Sequence, residues 1–142
     1  MSDLYDTDIL IWSEQQAALL RRLANNERIN DQVDWENVVE EIESVGRNEL
    51  RAVESALVQA LLHRLKAEAW PLARDRSHWE AEARRAHDEA VAGFTASIGK
   101  KLRLDQLYRR ALRAMPESYD GQPPLPVPAE CTMTLEELLG ED

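Results

Sequence analysis

Apolar side chains recur along this chain at helical intervals, not strand intervals. At about 100° per residue, Tyr5, Ile9, Trp12, Leu19, Leu20 and Leu23 share one face of a segment from about Thr7 to Ala24, while Ser13, Glu14, Arg21 and Arg22 turn away. Asp6 or Thr7 can cap the exposed N–H groups at its start, and Asn25-Asn26 ends it. Gln16 interrupts this stripe, and a buried amide there needs hydrogen-bond partners, with Glu54 as a candidate.

Asp34 is the cap expected for a second helix opening Trp35-Glu36-Asn37, where early acids suit the positive end of the helix dipole. Trp35, Val38, Ile42 and Val45 form its apolar face, opposite Glu36, Glu40, Glu43 and Arg47. Beyond Gly46 the stripe becomes Leu50, Val53, Leu57, Leu61 and Leu65, rotated by roughly one residue. Gly46 either separates two helices or bends one. With no proline to force a break, one long kinked helix from Trp35 to about Ala69 is expected, stopped by Pro71.

Ser77-His78-Trp79-Glu80 has the form of a capping box. It predicts a helix whose stripe is Trp79, Ala83, Ala86, Ala90 and Phe94 and which fades near Ser97, before Gly99. A further helix is expected from about Leu102 to Met115, apolar along Leu104, Leu107, Tyr108, Ala111, Leu112 and Met115 and ended by Pro116. The proline-rich run from Pro123 to Pro128 predicts an extended tail. Thr134-Leu135-Glu136-Glu137 is a second capping box and opens a short last helix, Leu135 to Leu139. These elements predict an all-α, up-and-down helical bundle in a single domain over 1–142, with 1–116 as the bundle and 117–142 as a tail packed on it.

Charge adds an asymmetry. Residues 1–70 carry 14 acids and 7 bases, residues 71–113 carry 6 and 10, and residues 114–142 carry 7 and none, for a net charge of −10. An acidic total argues against general nucleic-acid binding. The N-terminus lacks a signal-peptide pattern and no apolar run is long enough to cross a bilayer. The single cysteine, Cys131, excludes an internal disulfide and a Cys-based zinc or redox pair. A cytoplasmic location without membrane contact is the expectation.

Candidate chemistry is sparse. Glu36, Glu40 and Glu43 stand one helical turn apart, but they lie opposite the apolar face, and no Glu-x-x-His accompanies them as in di-iron bundles. His63, His78 and His87 lack the i, i+4 spacing that pairs two ligands on one helix. Were a metal held, Glu40, Glu43 and His63 would be the set to test. Arg103, Arg109, Arg110 and Arg113, near Lys100 and Lys101, could grip phosphate, but no aromatic residue interleaves them for base stacking. Cys131 has no neighbouring base to activate it, so it reads as a packing residue of the tail.

Several segments resemble a bacterial family called domain of unknown function 29. They are Asp34-Trp35-Glu36-Asn37-Val38-Val39-Glu40-Glu41-Ile42-Glu43-Ser44-Val45-Gly46-Arg47, Tyr5-Asp6-Thr7-Asp8 with Trp12, Leu62-His63 with Leu65-Lys66, Ser77 with Trp79, Tyr108, and Glu130-Cys131 with Thr134 to Leu139. The pattern departs from the family at Ala67, where an aromatic residue is usual, and at Thr132, where proline is usual. The resemblance implies a helical bacterial protein and supplies no catalytic residues. A non-enzymatic module that associates with itself or with another protein is therefore the expected function, without a cofactor. A metal-binding bundle or metal-dependent enzyme using His63 and acidic residues is the alternative. The four tryptophans favour association, since aromatics are over-used at interface cores.

Overall fold

The computed structural model describes residues 4–140. Its helices are α1 (Leu4–Thr7), α2 (Ile9–Ala24), α3 (Trp35–Ala69), α4 (Arg76–Gly93), α5 (Ala96–Gly99), α6 (Leu104–Ala114) and α7 (Leu135–Leu139), with a 3-10 turn at Asn30–Gln32. Among the described residues the only β geometry is an isolated bridge between Tyr119 and Gln122, so the chain is an all-α bundle, as the periodicity predicts. Gly46 lies within α3 and does not divide it. The chain forms two compact units, one up to Arg47 and one from Asn48 onward.

In the first unit, Leu4–Thr7 makes its own short turn of helix. The cap of α2 is therefore Asp8, not Asp6 or Thr7; its carboxylate accepts from the Ile11 N–H at 3.1 Å. Asn25 closes α2, and Asn26 takes the left-handed conformation, φ 69°, that an amide side chain tolerates after a helix end. The core is Trp12, Val33 and Val38, with Leu4, Tyr5, Leu19 and Leu20 packed on it. Tyr5 meets Trp12 edge to face, centroids 4.8 Å apart, the arrangement ring quadrupoles favour. This core is too small to cover the whole predicted stripe. Ile9 is exposed with Leu10 and Ile11, and of Trp35, Val38, Ile42 and Val45 only Val38 is buried.

In the second unit the predicted stripes are the core. Val53, Leu57, Leu61 and Leu65 of α3 pack with Ala90 of α4 and with Leu107, Tyr108 and Ala111 of α6. α4 starts at Arg76 with Asp75 at its cap position, so Ser77 sits inside the first turn and the predicted box there does not form. The reason is local: backbone bonds from Arg76 N to Ala73 O and from Trp79 N to Asp75 O begin the helix earlier. α4 also ends sooner than expected, at Gly93, and Phe94 swings off the buried face while Thr95 caps α5.

The tail is tied to this unit by main-chain groups. Trp70 Nε1 donates to Gln122 O at 3.0 Å, Leu125 N to Ala69 O at 2.9 Å, and Tyr108 Oη to Pro128 O at 2.7 Å. Before the prolines, Asp120 and Gly121 adopt φ of 50° and 74°, and Tyr119 and Gln122 exchange both backbone hydrogen bonds. That is a tight primed turn, for which Asp-Gly is a standard sequence. Both arms of the Thr134 capping box form, opening α7, and Leu138 enters the core beside partly buried Cys131 and Met133.

Candidate functional site

The acidic stripe behaves as a solvated face. Glu36, Glu40 and Glu43 are exposed, and Glu40 pairs with Arg47 on the same helix. His63, in the second unit, is half-buried and its Nδ1 has no hydrogen-bond partner among the described residues. Loss of solvation holds its pKa below the usual histidine value, helped by the nearby Lys66 charge and opposed by Glu82. Glu40, Glu43 and His63 do not converge: among the described residues no three His, Cys, Asp or Glu side chains stand close enough to hold a metal ion.

His78 is exposed, as its position near a helix start implies. His87 is half-buried, with Nδ1 3.7 Å from Asp88 Oδ1 and Nε2 without a hydrogen-bond partner among the described residues. Arg103, Arg109, Arg110 and Arg113 all face solvent, where Arg109 pairs with Asp105 at 3.4 Å. Cys131 is half-buried, with a weak contact to Met133 O at 3.5 Å.

Gln16 is buried, and its partner is not Glu54. Its Oε1 accepts from the Asp34 N–H at 2.8 Å, at the entry to α3. Asp34 Oδ2 in turn accepts from Trp12 Nε1 at 3.0 Å and from Asn37 Nδ2 at 2.9 Å, and these bonds hold its carboxyl below the ordinary carboxylate range. The network is structural: Gln16, Trp12 and Asn37 converge on Asp34 and fix where α3 starts.

Two features remain that periodicity alone does not disclose. One is an exposed apolar stripe on the first part of α3. Trp35 is 43% exposed, Val39 50%, Ile42 67% and Val45 63%. Trp35 is held in place by a 2.7 Å hydrogen bond from its Nε1 to Asn30 O. The other is a groove of about 880 Å³ in the second unit, between α3, α4 and α7. Small residues, Ala60, Ala67 and Ala83, line it together with Leu138 and Leu139, and Arg64 and Arg84 stand at its rim. The helical spacing of these alanines and arginines was available in the sequence; the gap between the helices was not.

The structure thus defines an all-α protein with a groove and an apolar helix face, and with no group of three metal-ligating side chains among its described residues. The chain belongs to the family described as domain of unknown function DUF29, whose model matches residues 4–142. Its fold is similar to that of an α-helical protein of unknown function from Rhodospirillum rubrum ATCC 11170, known from a crystal structure at 1.45 Å resolution. The two are 26% identical, the match covers 100% of this chain and 92% of the other, and the TM-score is 0.66. A search of curated proteins found no match.

Proposed function

We propose that this chain is a non-enzymatic association module that joins protein surfaces, a second copy of itself first among them. The observation that carries the reading is the exposed stripe Trp35, Val39, Ile42 and Val45. A run of large apolar side chains along one helix face is the kind of patch that marks an interaction surface. Trp35 is an aromatic anchor held by its bond to Asn30, so little side-chain freedom remains to be lost on binding. The chain's own charges favour a homotypic contact: an acidic segment carries the stripe, and residues 71–113 are net basic.

Sedimentation velocity at micromolar concentration tests this. The wild type is expected to exceed the 16.2 kDa of one chain. Ile42→Asp with Val45→Asp is expected to return it to that mass with an unchanged far-UV circular dichroism spectrum, because both side chains are exposed. A wild type that sediments as one chain throughout would rule the reading out.

A further inference from the structure

The groove of the second unit has unsatisfied features. α3 and α4 run antiparallel there: Val53 lies against Gly93 near one end, and Trp70 meets Trp79 at a tilt near the other, ring centroids 6.1 Å apart. That register sets Arg64 level with Arg84 across the groove, and Glu68 level with Glu80 one turn further on. Arg76 neutralises Glu80 at 3.4 Å. Arg64 and Arg84 have no carboxylate within ion-pair distance among the described residues. Two guanidinium groups at one level, over a floor of alanines that lets another helix come close, call for an apolar helix face bordered by acids.

Such a face exists on this chain. At about 100° per residue, Glu36 and Glu43 border one side of the Trp35–Val39–Ile42–Val45 stripe. Both are exposed and neither has an ion-pair partner among the described residues. From Asp34 to Arg47 the chain carries five acids and one base.

We infer that the groove of one copy receives the α3 stripe of a second copy, laid across α3 and α4 so that Glu36 and Glu43, two turns apart on one side of the stripe, are set toward Arg64 and Arg84. This rests on the association reading above and names its acceptor. Glu68, Glu80 and Asp88 also stand on the rim, so a helix laid in the opposite sense would bring acids against acids. The contact joins two different surfaces, so it is head-to-tail, and a pair of copies keeps one free donor and one free acceptor.

Complementation decides it. A donor-defective chain, I42D with V45D, and an acceptor-defective chain, R64E with R84E, are each expected to weaken self-association by roughly tenfold or more. Mixed in equal amounts they are expected to form a one-to-one heterodimer, since each supplies what the other lacks. Reversing both sides in one chain, E36R and E43R with R64E and R84E, is expected to restore assembly. The milder R64Q with R84Q serves if R64E with R84E loses its helical spectrum. Wild-type assembly that persists in both acceptor variants overturns the inference and leaves the stripe reading standing, with the stripe then facing itself. Defective chains that stay separate when mixed overturn it as well. A wild type that never assembles removes both.

Discussion

Gln16 stands in for a backbone acceptor. Its amide oxygen takes the Asp34 N–H, and Asp34 then collects Trp12 and Asn37. Gln16→Ala leaves that N–H without its partner in a partly buried setting. The expected loss is about 1–3 kcal/mol of unfolding free energy, read from urea denaturation with an unchanged m-value. A loss within error would show that water replaces the amide. That a polar side chain interrupts an apolar stripe is plain in the sequence. Its partner is not, because the bond spans 18 positions and depends on how the connection folds back. Tyr5 offers a pH readout. Its hydroxyl donates to the Glu41 carboxylate, and that bond pushes its pKa from 10.0 up to about 12. A folded pKa raised above the unfolded one means that this bond's contribution is whole below about pH 10 and fades as pH climbs toward 12. Tyrosinate absorbance, assigned by difference from Tyr5→Phe, should show the Tyr5 midpoint fall in Glu41→Gln; an unmoved midpoint would refute the assignment.

Among the elements, α3 shows what periodicity can and cannot say. Both of its stripes are amphipathic, yet the one after Gly46 is core while Trp35, Ile42 and Val45 are exposed. Amphipathic spacing reveals which face is apolar, not whether anything covers it. Gly46 is a possible break by sequence, but α3 runs through it, and an added Cβ would meet nothing within 4 Å. Gly46→Ala is therefore expected to stabilise by about 0.5–1 kcal/mol, seen as a higher midpoint of thermal unfolding; a lower one would mean that the helix needs glycine's freedom there. The two capping boxes had equal standing as sequence. Thr134 meets Glu137 in both directions at 3.0 and 3.1 Å, whereas the Ser77 box is pre-empted by backbone bonds one turn earlier. α7 is short but not peripheral, because Leu138 is 1% exposed in the main core. Leu138→Ala is expected to cost about 2–5 kcal/mol, measurable by denaturant titration; a cost near zero would mean that the tail is not part of the cooperative fold.

For the whole molecule, helix content and the apolar stripes of the second unit were legible because one face of each helix there is sheltered. The Asp120-Gly121 turn was legible in principle, from a dipeptide that favours left-handed backbone, whereas the prolines beside it signal only an extended tail. The groove was not legible, since a space between helices belongs to no segment of sequence. No helix among the described residues is long and apolar enough to cross a membrane. The tail's attachment through Gln122 O, the Leu125 N–H and Pro128 O has a practical corollary. Tethers made of peptide groups are indifferent to which R-groups ride on them. Outward-facing Pro123 and Pro124 could thus be exchanged for a residue carrying a fluorescent label, giving a reporter on the strap that leaves its moorings intact.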